Sequence, residues 1–123
     1  MNARDAEAFA ACVARDYDST QPAHPARAFR GRNQVLENWI AVFAGVPDFS
    51  AELLTYAVRD DVEFAEWHWH GTHLDGSAFE MRGTTVFGVR DDLVQWGRLY
   101  MEPVDVDGDD IQAMVRDTYK PPD

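Results

Sequence analysis

The sequence predicts an α+β fold: a curved antiparallel four-stranded sheet wrapped around N-terminal helices, with a short C-terminal helix. Three observations predict it. Apolar residues recur at helical spacing as far as about Ala44. From Phe49 onward the period changes to two, as in strands with one buried face. The long apolar runs are broken at Asp60-Asp61, Asp75-Gly76-Ser77 and Asp91-Asp92, residue types that turn hairpins. A length of 123 residues suits one domain over 1–123.

The elements follow in order. Ala6, Phe9, Ala10, Val13 and Tyr17 stand at helical spacing, which predicts an amphipathic helix over residues 3–16. Pro22 and Pro25 remove backbone donors and force extended backbone, so the segment from Ser19 to Pro25 is a loop, closed by Gly31. Val35, Leu36, Trp39, Ile40, Val42 and Phe43 make a second helix, which Gly45 and Pro47 stop. Strands are expected over 49–59, 62–73, 78–90 and 93–103. The acidic run Asp107 to Asp110 caps a last short helix carrying Ile111, Met114 and Val115, and Pro121 and Pro122 mark a tail.

Alternation sorts the strand residues by face. Ala65, Trp67 and Trp69 share one face, with Glu66, His68 and His70 on the other. Phe79, Met81, Gly83, Thr85, Phe87 and Val89 oppose Glu80, Arg82, Thr84, Val86 and Gly88. The tryptophan face and the Met81/Phe87 face are the natural walls of an apolar pocket. In the last strand Trp96, Arg98, Tyr100 and Glu102 share one face, and Leu99 and Met101 the other.

Charge and composition exclude several roles. The chain holds 22 acidic and 11 basic residues, a formal net charge of -11. Nucleic acid and anionic membrane surfaces both require concentrated basic charge, so neither is an expected partner. A single cysteine, Cys12, forbids an internal disulfide and is read as a small core residue. With neither a signal-like apolar run nor a stretch of membrane-spanning length, a cytoplasmic location is expected.

Several short motifs stand in a fixed order. They are Phe29-Arg-Gly31, Gly45-Val-Pro-Asp-Phe49, Glu66-Trp-His-Trp-His-Gly-Thr-His73, Met81-Arg-Gly83, Val86-Phe-Gly-Val-Arg-Asp91 and Arg98-Leu-Tyr-Met-Glu-Pro103. In that order the chain resembles the nuclear transport factor 2-like superfamily, and within it the SnoaL-like, polyketide cyclase and ketosteroid isomerase-like group. The resemblance implies an α+β cone with a pocket, and frequent homodimers. It does not fix an activity, because the fold hosts isomerases, cyclases, epoxide hydrolases and binding domains. Relatives usually carry a longer first helix, so an open cone mouth, or one covered by a partner chain, is expected.

Residue by residue, the resemblance is uneven. Where ketosteroid isomerases carry an aspartate base, this chain has the region of Pro22, with Gln21 and His24 nearby; where they carry a protonated aspartate, it has Thr85. Where SnoaL-like cyclases carry an acid/base aspartate in the last strand, the nearest carboxylate is Glu102. Limonene epoxide hydrolases use an Asp-Arg-Asp set, and Arg82 and Arg98 lack such a pair of aspartates beside them.

The candidate catalytic residues are therefore Glu102 as proton-transfer group, Tyr100 as its polar neighbour, and His24 in the loop rimming the pocket. The candidate substrate-binding residues are Tyr17, Trp39, Phe43, Trp67, Trp69, Met81, Phe87 and Arg98. The row Arg98, Tyr100, Glu102 also reads as a structural ladder of cross-strand pairs. The expected ligand is a small apolar or polycyclic organic molecule, acted on by general acid/base isomerase, cyclase or hydrolase chemistry, or simply bound by a non-catalytic ligand-binding or dimerisation module.

No cofactor and no metal are expected. His68 and His70 share a face with Glu66, but His73 has the opposite parity, so three converging ligands are not evident. Zinc or nickel binding tighter than micromolar, about 8 kcal/mol, is not expected. A homodimer is expected through the outer face carrying Glu66, His68, His70, Arg82 and Thr84; a monomer mass in light scattering would contradict it.

Overall fold

A computed structural model describes residues 5–119. Its elements are α1 (Ala6–Ala11), β1 (Val13–Thr20), a 3-10 turn (Pro25–Arg27), β2 (Phe29–Arg30), α2 (Arg32–Gly45), β3 (Ser50–Arg59), β4 (Val62–Thr72), β5 (Ala78–Arg90), β6 (Leu93–Pro103) and α3 (Ile111–Thr118). The strands form one curved, unclosed sheet in the order β2-β1-β6-β5-β4-β3, with α1 and α2 against its inner face.

Two expectations need correcting. The sheet has six strands rather than four, and it is mixed, because β1 runs parallel to β6 while its other pairings are antiparallel. The predicted first helix ends at Ala11, and Val13–Thr20 is strand instead. The cause is an ambiguity of spacing. Residues four apart share a face in a helix and also in a strand, so Val13 and Tyr17 fit both. The deciding residue is Ser19, which is buried with Tyr17 two positions on, as period two requires. Ser19 is polar and gives no hydrophobic signal.

The four long strands lie where the alternation puts them, within one residue at each end. Their turns rest on aspartates in the left-handed region, Asp60 at φ 54°, Asp91 at 55° and Asp92 at 61°. Aspartate tolerates that region better than most side chains do. The two consecutive positive angles at Asp91-Asp92 match a primed hairpin turn. Asp110 caps α3 by accepting from the Ala113 amide at 2.9 Å. The proline tail, Pro121 and Pro122, lies outside the described residues.

The core is aromatic. Phe49, 1% exposed, sits where the chain leaves α2 for β3. Trp39, Phe43, Trp69 and Phe79 surround it at centroid separations of 5.4 to 5.9 Å. Trp39 also stacks on Phe9 of α1 at 4.5 Å, so one indole ties both helices to the sheet. Arg32 at the start of α2 donates twice to the Val13 carbonyl, at 3.0 and 2.7 Å, and fixes β1 beneath that helix.

β6 packs tightly on β5. A Cβ on Gly83 would stand 2.1 Å from the Tyr100 carbonyl oxygen, so only glycine permits this approach. Near the hairpin, Gly88 pairs with Trp96 and Val89 with Val94, which leaves Gln95 as a bulge. Past the bulge Gly97, Leu99 and Met101 face inward, and Trp96, Arg98, Tyr100 and Glu102 face outward.

Candidate functional site

A cavity of about 300 Å³ lies between the two N-terminal helices and the inner sheet face. α1 supplies Phe9 to its wall, and α2 supplies Val35, Asn38, Trp39 and Val42. β1 supplies Val13, Tyr17 and Ser19, and Trp69, Thr85, Phe87, Val94 and Leu99 come from β4, β5 and β6. Cys12, Gln21 and Phe29 of β2 complete it. The volume is at the small end of the range for organic ligands.

Of the eight predicted substrate-binding residues, Tyr17, Trp39, Trp69 and Phe87 line this cavity. Phe43, Trp67 and Met81 pack against the Phe49 cluster instead. Arg98 is on the outer face, its guanidinium 4.8 Å from the centroid of the Trp96 ring. The three predicted catalytic residues are outside the lining as well. His24 Nε2 meets Glu102 Oε1 at 2.6 Å, with both side chains exposed, and Tyr100 is exposed on the same face as Glu102. Cys12, read as a core residue, is exposed at the cavity wall, its thiol donating to the Ala8 carbonyl at 3.4 Å.

Tyr17, Ser19, Gln21, Asn38 and Thr85 supply the polar side chains of the lining. Tyr17 is 5% exposed and hydrogen-bonds with Ser19. Its hydroxyl oxygen would stand 2.4 Å from any Cβ placed on Gly97, so the glycine makes room for the phenol. Thr85, 1% exposed, accepts from Trp67 Nε1 at 2.9 Å, which leaves its own hydroxyl proton to donate. Trp69 Nε1 is buried and has no hydrogen-bond partner among the described residues. A buried N–H left unpaired costs about 1–3 kcal/mol. Among the described residues no carboxylate and no imidazole lines the cavity.

Burial raises the Tyr17 pKa above 10.0, the Ser19 hydrogen bond opposes that shift, and the charge of Asp18 adds to it. The native state therefore holds the phenol proton where the unfolded chain releases it. Stability from this group is complete below pH 10 and is lost as pH rises through the folded pKa. In Tyr17→Phe that alkaline loss should shrink, as chemical denaturation at a series of pH values would record. An unchanged alkaline slope would show that Tyr17 does not titrate in the cavity.

Sequence reasoning missed Ser19, Val94 and Leu99 as wall residues. Alternation set Leu99 and Met101 opposite Arg98, Tyr100 and Glu102 without fixing which face turns inward, because the face depends on the Gln95 bulge, which has no sequence marker.

Known structures share this architecture. A ketosteroid isomerase-like fold protein from Catenulispora acidiphila, solved with trimethylamine, superposes with a TM-score of 0.71 at 15% identity, over 80% of this chain and 76% of that one. IdmH of Streptomyces antibioticus, described as a candidate polyketide cyclase, gives 0.71 at 22% identity, over 82% and 83%. An NTF2-like protein from Exiguobacterium gives 0.64 at 18%, over 82% and 86%. At these identities the likeness establishes the fold alone. No curated protein matches the chain. The family profile described as SnoaL-like domain matches residues 1–96, a span that contains α1, α2, the strands from β1 to β5 and every cavity residue except Leu99. The chain thus belongs to the SnoaL-like domain family.

Proposed function

We propose that the protein binds a small, neutral, largely apolar organic molecule carrying an acceptor oxygen, such as a ketone. The observation that carries this reading is the makeup of the cavity wall. Trp39, Trp69, Phe9 and Phe87 offer aromatic surface, while Tyr17, Thr85 and Trp69 carry O–H and N–H donors and no carboxylate lines the wall. An acceptor oxygen would satisfy the unpaired Trp69 N–H, whereas a cationic ligand would find no counter-charge in the wall.

Prodan, a neutral naphthalene ketone whose emission shifts blue in apolar surroundings, is the probe for this. One saturable site per chain with blue-shifted emission is expected. Tyr17→Phe and Trp69→Phe should each weaken binding about fivefold, the worth of one hydrogen bond near 1 kcal/mol. Absence of saturable binding would overturn the proposal. Equal affinity in wild type and both variants would remove the donors from it.

One observation favours a second, catalytic reading. His24 and Glu102 form a 2.6 Å hydrogen bond, the geometry of a base and its orienting carboxylate. The His24 amide bonds the carbonyl of Gln21 at 2.7 Å, and Gln21 lines the cavity. On this reading the dyad is a base with its orienting carboxylate, exposed outside the cavity lining.

A further inference from the structure

We propose that Glu52, His68 and His70, on the outer face of β3 and β4, form a site for a divalent transition metal of the zinc class, with Glu80 of β5 positioning His68. One ligand atom from each of the three residues lies within 4.8 Å of the others. This site is separate from the cavity: none of these residues belongs to its lining.

Strand geometry creates the cluster. His68 and His70 alternate onto the same face of β4, with ring centroids 5.0 Å apart. Glu52 arrives through register. Around the Asp60-Asp61 turn Arg59 pairs with Val62, and unbroken counting would set Glu52 opposite Trp69. The irregularity between Leu53 and Thr55 shifts the pairing by one, so Glu52 stands opposite His68.

The hydrogen bonding suits a metal ligand. His68 Nε2 lies 2.6 Å from Glu80 Oε2, and its Nδ1 lies 3.5 Å from Glu52 Oε2. A neutral ring that donates from Nε2 to Glu80 presents the Nδ1 lone pair to the side where Glu52 stands. A carboxylate behind a ligating histidine fixes its tautomer and raises its basicity. Ligands about 2 Å from a zinc ion stand no more than about 4 Å apart, so closure needs side-chain movements of roughly 1 Å. Glu52 and His70 are exposed and have that freedom. Two imidazoles and one carboxylate select zinc, cobalt or nickel over magnesium and calcium, which take oxygen ligands. Three protein ligands leave a coordination position open.

Isothermal titration of the full chain with zinc chloride near neutral pH tests this. One saturable zinc per chain with a Kd in the micromolar range is expected, undisturbed by millimolar magnesium. His70→Ala and Glu52→Gln, both at exposed positions, should each weaken it tenfold or more. Glu80→Gln should weaken it about 10–100-fold without removing a ligand. Circular dichroism confirms that each variant is folded. The absence of a stoichiometric event would overturn the site. An event displaced by magnesium, or unchanged in both His70→Ala and Glu52→Gln, would overturn it equally, since a chain of net charge -11 gathers cations loosely.

Discussion

Phe49→Ala should lower the stability of the fold by about 3–5 kcal/mol, the usual cost of truncating a fully buried phenylalanine. The effect belongs at the upper end for a stated reason. Phe49 contacts Trp39, Phe43, Trp69 and Phe79, four large rings on α2, β4 and β5. Rigid rings on separate elements cannot all collapse into the void. The lost term is therefore transfer energy plus an unfilled cavity. Urea denaturation followed by tryptophan fluorescence measures it. Phe49→Leu, which keeps most of the volume, should cost clearly less. A loss below about 1 kcal/mol in the alanine variant would mean that this cluster is not the core.

Trp39→Ala should have a comparable cost in stability, about 3–5 kcal/mol, and should also abolish Prodan binding. Both follow from its position. The indole packs on Phe9, Phe49 and Trp69, joins the core beside Val13, Tyr17 and Val35, and lines the cavity. Its removal opens the cavity roof and takes away the ring on which Phe9 of α1 stacks. Trp39→Phe separates the two effects, since it restores packing in part and shrinks the aromatic wall. Full Prodan affinity in a folded Trp39→Ala variant would place the ligand site elsewhere.

The legible parts of the fold were those where local chemistry and global position agree. Aspartate turns at 60–61 and 91–92 bound hairpins whose strands alternate regularly, so β3 to β6 can be read from the sequence almost residue for residue. β1 could not be read, because Val13 and Tyr17 suit a helix and a strand equally. Its pairing with β6 is long-range and parallel, and leaves no local mark. The same division holds at the site. Tyr17, Trp39, Trp69 and Phe87 are large and apolar, on faces that alternation fixes, and they do line the cavity. The row on β6 was placed by likeness to relatives, and the bulge at Gln95 turns it outward. Glu52 shows the same limit from the other side, since one irregular residue near Leu54 brings it to His68.

Binding in this particular cavity is the central claim, and Cys12 reports on it directly. It is the single cysteine of the chain, it is exposed, and it stands in the cavity wall beside Phe9 and Val13. The rate of Cys12 alkylation by iodoacetamide, followed by intact mass with and without saturating Prodan, is therefore a footprint of the occupied cavity. Occupancy should slow alkylation by the fraction of chains that hold the dye. An unchanged rate at saturation would show that the dye binds somewhere other than between the helices and the sheet.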